Sequence, residues 1–200
     1  MLARSSDRGQ HWKFVATIAV DPNVGTEGFG EPVIVRVSRG PNPGRLICQM
    51  RTGRELYEAV SDNEGATWTP ARPRVYASLD TNRTELWVDM FRGHKGKKGK
   101  LDETNLEELP GAVVDPDLIE LRDGSLVAGF GVRGIPSHGN YIAFSLDQGK
   151  TWTQITKITA QGDYVTVREI SPGKLFFVYD RQDKEKKTYV VGRMIDIARQ

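Results

Sequence analysis

One eight-residue pattern occurs three times along the chain. It reads Ser, any residue, Asp or Asn, any residue, Gly, two further residues and Trp, and the copies are Ser5–Trp12, Ser61–Trp68 and Ser145–Trp152. Ser, Asp and Asn side chains bind backbone amides in tight turns, and Gly adopts the positive φ that such turns need. The Trp can pack back over the turn from the next strand. Three copies in 200 residues therefore predict a repeat protein in which each octet is a hairpin turn.

Short β-strands are predicted around the octets, separated by turn signals such as Asp123-Gly124. The predicted strands are Pro32–Val37, Arg45–Met50, Leu56–Val60, Asp117–Leu121, Ser125–Phe130, Tyr141–Ser145, Val165–Ile170, Lys174–Tyr179 and Lys187–Ile195. Because no strand is followed by a long helical pattern, βαβ units are not expected. Each round instead predicts a four-stranded antiparallel meander with the octet between its third and fourth strands, which is the unit of a β-propeller.

The predicted organisation is all-β, with about three to three and a half blades of a propeller. We expect a blade end at 1–22, blades at 28–78, 111–160 and 161–200, and an insertion at 79–110. The insertion contains the basic run 92–100, and Thr104 and Glu107 have the spacing of a capping box. We interpret it as a solvated loop with one helical turn, the alternative being a basic finger that contacts an anionic partner.

Composition narrows the function classes. With 28 basic and 26 acidic side chains the formal charge is +2, so no global field favours nucleic acid. No apolar run is long enough to span a membrane, and the lone Cys48 excludes an internal disulfide framework. The three histidines show no ligand spacing, so no metal site is expected. The sequence has no phosphate loop or dinucleotide fingerprint, so no other cofactor is expected.

Overlaying the repeats on their first strands brings chemically active side chains into register. Acids open the first strands and arginines end the second strands: Glu31, Asp115 and Asp163, then Arg51, Arg133 and Arg181. In an antiparallel hairpin, the start of the first strand and the end of the second lie at the same edge. The overlay therefore predicts that these residues, together with Tyr164, gather at one face of the ring.

This set of residue types is suited to a carboxylate ligand and to nucleophilic catalysis. A guanidinium binds a carboxylate bidentately, and a phenol becomes a nucleophile when a neighbouring carboxylate such as Glu31 takes the proton of Tyr164. Each residue also has a structural interpretation. Arg181 could be an exposed edge residue, Asp115 could cap a turn, and Tyr164 could be an ordinary strand aromatic.

With these motifs the chain resembles the sialidases, or neuraminidases, whose propellers carry repeats called Asp boxes. Three further segments share the resemblance: Leu46–Gly53, Leu121–Val127 and Tyr189–Ile195. The resemblance implies a six-bladed propeller that removes terminal sialic acid from glycoconjugates with retention. It implies Tyr164 as nucleophile, Glu31 as the glutamate that activates it, and Arg51 and Arg133 as the second and third arginines of a triad that holds the sugar carboxylate.

The chain also departs from the sialidase pattern. The first triad arginine and the acid/base aspartate have no counterpart here, since Asp7 belongs to an octet. We therefore expect the C-terminal half of such a propeller, inactive by itself, with self-association as one way to complete the ring. The chain has no apolar signal core at its start, so the sequence itself leaves the location unknown. An extracellular or periplasmic location is suggested by the family resemblance alone.

Two other functions remain open at the level of the sequence. One is a non-catalytic propeller that binds glycans or proteins, and the other is a hydrolase for a different acidic sugar. His138 follows Arg133 closely enough to lie near the same face, but we interpret it as a loop residue.

Overall fold

The computed structural model describes residues 1–24, 28–52, 56–74, 76, 113–133, 138–162, 164–183, 185 and 187–198. They form strands β1 (Leu2–Arg4), β2 (Lys13–Ala16), β3 (Gly30–Arg36), β4 (Leu46–Arg51), β5 (Leu56–Ser61), β6 (Arg72–Arg74), β7 (Val113–Glu120), β8 (Leu126–Val132), β9 (Gly139–Ser145), β10 (Thr153–Thr159), β11 (Val165–Ser171), β12 (Lys174–Gln182) and β13 (Thr188–Asp196). The described part of the chain contains no helix, and so none that could cross a membrane.

The strands form four antiparallel sheets, each made of strands consecutive in sequence. Two are complete four-stranded meanders, β3-β4-β5-β6 and β7-β8-β9-β10, while β1-β2 and β11-β12-β13 are shorter. The first strands β3, β7 and β11 lie side by side, since β7 contacts both of the others. This arrangement confirms the prediction of an all-β repeat of meanders.

The octets make the turns before the last strand of the first three sheets. In the third octet, the Gly149 N–H donates to Ser145 Oγ at 2.9 Å and the Thr151 N–H donates to Asp147 Oδ1 at 2.8 Å. The other two octets repeat both bonds. Gly149 has φ of +83°, a conformation in which an L side chain is strained. The Ser and Asp or Asn side chains thus accept hydrogen bonds from backbone N–H groups that have no backbone acceptor in a tight turn.

The apolar side chains fill the spaces between consecutive sheets. One cluster, with Ile47 and Phe130, lies between the β3–β6 and β7–β10 sheets. A second, with Val127 and Phe177, lies between the β7–β10 and β11–β13 sheets. A third, with Met50, joins the β1–β2 pair to the β3–β6 sheet. Because a cluster fills each space between consecutive sheets, the sheets stack side by side and present the starts of their first strands at one edge.

The predicted first, second and third strands agree with the structure to within a few residues. The structure adds β1 before the first octet and defines the fourth strands β6 and β10, which the strand assignments from sequence did not specify. The expected insertion at 79–110, with its basic run and helical turn, lies outside the described residues.

Candidate active site

The first strands of two neighbouring sheets begin with the same irregularity. Glu31 and Asp115 each precede a proline and adopt positive φ, +42° and +46°. The ladder register shifts there, between Gly30 and Val33 in β3 and between Val114 and Asp117 in β7. Proline cannot donate to a ladder, and a bulge redirects the side chain beside it. The acid–proline pairs therefore aim both carboxylates away from the ordinary alternation of the strand.

Glu31 brings an arginine and a tyrosine together. Its Oε1 accepts from Arg51 Nη1 at 2.8 Å and lies 3.5 Å from the hydroxyl oxygen of Tyr164, at the long limit of a hydrogen bond. The Arg51 side chain is 9% exposed and the Glu31 side chain 30%, whereas Tyr164 is 46% exposed. The buried guanidinium of Arg51 thus fixes the partly exposed carboxylate of Glu31, and the Tyr164 hydroxyl approaches that carboxylate from the solvent side.

Arg133 lies against the other side of Tyr164. Its guanidinium carbon is 5.3 Å from the centre of the Tyr164 ring, within the range of a cation–π contact. Its Nε donates to the carbonyl oxygen of Gly162 at 3.1 Å. A Cβ at Gly162 would meet the Val132 carbonyl oxygen at 2.1 Å and the His138 ring at 2.7 Å. The chain before Tyr164 therefore approaches β8 as closely as glycine alone permits.

Arg133 is not the positional equivalent of Arg51. Gly30 pairs with Arg51, but the corresponding Val114 pairs with Gly131, so Arg133 lies two residues farther along. The connection between β3 and β4 is longer than that between β7 and β8, and counting residues along the sequence hides this difference. The overlay by spacing was wrong on this equivalence.

The other residues predicted for this edge, Arg181, Asp163 and His138, have different outcomes. Arg181 lies exposed within β12, and its charge helps to lower the pKa of Asp183, for which the main cause is the hydrogen bond from the Lys187 backbone. Asp163 lies outside the described residues. The His138 ring packs against Gly162, whose carbonyl oxygen accepts from Arg133, so His138 lies near this edge.

Two aspartates connect β7 to β11 beneath the site. Asp115 Oδ2 accepts from the Val165 N–H at 2.7 Å, and Asp117 Oδ2 accepts from the Val167 N–H at 2.8 Å and from Arg168 Nη1 at 2.6 Å. Sequence reasoning placed Asp115 at the edge but gave Asp117 no role. Alternation along the strand could not have predicted this pairing, because the bulge at Asp115 breaks the rule that residues two apart share a face.

Asp115 also has an unusual acidity. Burial raises its pKa to about 6, the Val165 N–H opposes this, and the charges of Glu31, Asp117 and Asp180 add to the rise. The group therefore changes charge near neutral pH, as residues at functional sites often do.

No group of three or more His, Cys, Asp or Glu side chains among the described residues is arranged to hold a metal ion. Two surface grooves lie at the opposite edge of the sheets, beside Ser125 and Leu146, and neither includes Glu31 or Tyr164.

Comparison with solved structures agrees with the fold. A protein of unknown function from Dyadobacter fermentans matches with a TM-score of 0.68 and 16% identity, over 98% of this chain and 45% of that one. A Hadza microbial sialidase matches with a TM-score of 0.58 and 18% identity, over 96% and 37%. An α-L-arabinofuranosidase from Fusarium graminearum matches with a TM-score of 0.58 and 16% identity, over 96% and 53%. No protein-family model matches the sequence, and a search of curated proteins gives no match.

The fold is that of a sialidase-type β-propeller, which confirms the predicted fold class. This chain spans between about a third and about half of the length of the three matched structures. These similarities concern the fold alone.

Proposed function

We propose that this chain carries the nucleophile side of a retaining exo-α-sialidase, which hydrolyses terminal sialic acid from glycoconjugates. The contact between the Tyr164 hydroxyl and Glu31 Oε1, at 3.5 Å, carries the proposal. A phenol needs a base within reach to become a nucleophile at neutral pH. The phenol is also the exposed member of the group, so a sugar can approach it.

The proposed first step transfers the phenolic proton of Tyr164 to Glu31 as the phenol oxygen bonds to the anomeric carbon. The bond to the leaving-group oxygen breaks in the same step, and that oxygen takes a proton from an acid or leaves as an anion. Water then attacks the anomeric carbon and the bond to the Tyr164 oxygen breaks. Tyr164 takes its proton back from Glu31, and the proton that water loses passes to solvent or to the base that the acid of the first step has become. Since the phenol starts uncharged, it meets less repulsion from the sugar carboxylate than a carboxylate nucleophile would.

Two guanidinium groups support an acidic sugar as the substrate. Arg133 lies over the Tyr164 ring, and Arg51 lies beside Glu31. Arg133 could pair with a carboxylate bound next to the phenol, and such a pair is charge-assisted. Arg51 is 9% exposed and bound to Glu31, so the substrate role predicted for it requires its side chain to turn toward the sugar. The acid/base group and a third arginine have no match in this sequence. We infer that further polypeptide or a second copy supplies them. We also infer that this chain alone hydrolyses slowly any substrate whose leaving group needs protonation.

Hydrolysis of an aryl sialoside with a good leaving group tests the proposal, because that substrate makes little demand on a general acid. We expect Tyr164→Phe to remove the activity. Tyr189→Phe is the matched control, since the Tyr189 hydroxyl also bonds a carboxylate, that of Asp183, at 3.1 Å but on the outer strand β13. Full activity in Tyr164→Phe would refute the assignment. Aryl uronides and arabinofuranosides in the same assay identify the sugar class, and saturable glycan binding without turnover would favour a binding propeller.

A further inference from the structure

Asp115 is hydrogen-bonded both to Glu31 and to the backbone of Val165, the residue after Tyr164. The Asp115 N–H donates to Glu31 Oε2 at 3.0 Å. The Asp115 carboxylate accepts from the N–H of Val165, the residue after Tyr164, at 2.7 Å. Glu31 belongs to β3, Asp115 to β7, and Val165 to β11. Asp115 therefore joins three consecutive sheets at the edge where the phenol meets the carboxylate.

We propose that Asp115 is a positioning residue, which sets the distance between the Tyr164 hydroxyl and the Glu31 carboxylate by holding the backbone beside both. The inference rests on the proposed function and adds to it a residue that need not touch the sugar. The backbone of Asp115 itself is strained, with φ of +46°, and strain of this kind persists where surrounding contacts fix it.

Similar carboxylate clasps occur elsewhere, which provides an internal comparison. Glu120 accepts from the backbone N–H groups of Ser38 and Arg39, and Glu169 accepts from the Arg122 N–H at 2.7 Å. These clasps join the same strands at the opposite end. They hold the sheets together by bonds that do not involve Glu31 or Tyr164. Variants of these glutamates therefore show what the loss of a sheet-to-sheet contact does by itself.

The clasp of Asp115 is sensitive to charge. The ionisable groups that act on it are Glu31 from β3, Asp117 from its own strand and Asp180 from β12. Burial and these negative charges raise the pKa of Asp115 to about 6. A charged carboxylate accepts a stronger hydrogen bond than a neutral acid does. Protonation of Asp115 therefore weakens the bond to Val165 and loosens the position of Tyr164.

The kinetic test uses three variants. Asp115→Ala removes the clasp, and we expect kcat on an aryl sialoside to fall by about 10²-fold, with KM changed by less than about threefold, because a small misplacement of reacting groups has that effect. Asp115→Asn keeps a side-chain oxygen that can accept from Val165 but is uncharged, so it should restore part of the lost kcat. Glu169→Ala removes a clasp at the far end and should leave kcat near the wild-type value.

A second readout does not depend on activity. 3-Fluorotyrosine placed at position 164 reports its surroundings by ¹⁹F NMR, and we expect its chemical shift to inflect at about pH 6 when Asp115 is present. Asp115→Asn should remove this inflection, and Glu169→Gln should retain it. This measurement also decides the proposal if Asp115→Ala does not fold.

The outcomes separate this inference from the proposed function. If sialosides are not hydrolysed but the inflection disappears in Asp115→Asn alone, the positioning role stands and the sialidase proposal fails. If the inflection persists in Asp115→Asn, or if Asp115→Ala keeps the parent kcat, the positioning role is wrong. Equal losses of kcat in Asp115→Ala and Glu169→Ala would likewise overturn it, because any sheet clasp would then serve.

Discussion

Tyr164 and Glu31 are 133 residues apart in sequence, yet the phenol oxygen lies 3.5 Å from a carboxylate oxygen. Glu31 sits on the bulge at the start of β3, and Tyr164 comes just before β11. The whole β7–β10 sheet lies between them in the chain. The contact exists because consecutive sheets place the starts of their first strands at one edge, so repetition of the fold itself assembles the pair.

Replacing the base should slow the chemical step. We expect Glu31→Gln to lower kcat on an aryl sialoside by about 10²- to 10⁴-fold, the usual contribution of a positioned general base. The amide can still bind Arg51, so KM should change little. Glu64→Gln is the control, because Glu64 also pairs with an arginine, Arg36, at 2.6 Å but on the exposed surface. Unchanged kcat in Glu31→Gln would contradict the role of Glu31 as base.

Arg133 should matter for acidic sugars and much less for neutral ones. Loss of a charged hydrogen bond costs about 1.5–3 kcal/mol, so Arg133→Ala should raise KM for a sialoside by about 10- to 150-fold. A neutral aryl glycoside, where the protein hydrolyses one, should be affected by less than about threefold. Arg36→Ala serves as the matched change at an exposed arginine. Equal losses on both substrates would mean that Arg133 supports Tyr164 by packing alone.

The raised pKa of Asp115 predicts a particular pH dependence of stability. Its ordinary pKa is 3.8, and the fold raises it to about 6. The fold thus favours the neutral acid, and this contribution is complete below about pH 4 and is lost as pH rises through about 6. Urea unfolding at a series of pH values should show less of this decline in Asp115→Asn than in the parent or in Glu169→Gln. The same decline in all three proteins would refute the assignment.

The octets should differ in how tightly their glycines are packed. Gly9 and Gly149 have nearly the same φ, +86° and +83°, but an added Cβ would come within 2.7 Å of Ile47 at Gly149 and no closer than 3.9 Å to any atom at Gly9. Alanine at either site carries the strain of positive φ, about 1–2 kcal/mol. At Gly149 overpacking should add about 1–3 kcal/mol. Chemical denaturation of the two variants measures the difference, and equal losses would show that Ile47 relaxes freely.

Much of the fold was predictable because the octets and the strand pattern are local signals. Alternating strands and turn residues specify meanders, and repetition places equivalent ends together, which is how Glu31 and Tyr164 could be paired from sequence. The catalytic and binding roles of Glu31, Arg51, Arg133 and Tyr164 stay predictions. The prediction that Arg133 is equivalent to Arg51 was wrong. The connection between β3 and β4 is longer than that between β7 and β8, so equal residue spacing does not correspond to equal positions in the two ladders.

The hydrogen bonds by which Asp115 joins Glu31 to Val165 could not be predicted from the sequence either. Its effect depends on a bulge, a positive φ and a backbone N–H from another sheet, and none of these is encoded by residue type alone. The dipeptide Asp115-Pro116, repeated as Glu31-Pro32, marked the position but not the partner.

Covalent trapping at Tyr164 tests the central claim most directly. A sialosyl fluoride with a second fluorine next to the anomeric carbon has a leaving group that needs little protonation, and the second fluorine slows hydrolysis of the intermediate. After reaction, mass spectrometry of the intact protein and of its peptides should show one added fluorosialyl group on Tyr164, absent from Tyr164→Phe and retained in Tyr189→Phe. An adduct on another residue, or hydrolysis of sialosides that persists unchanged in Tyr164→Phe, would contradict the account.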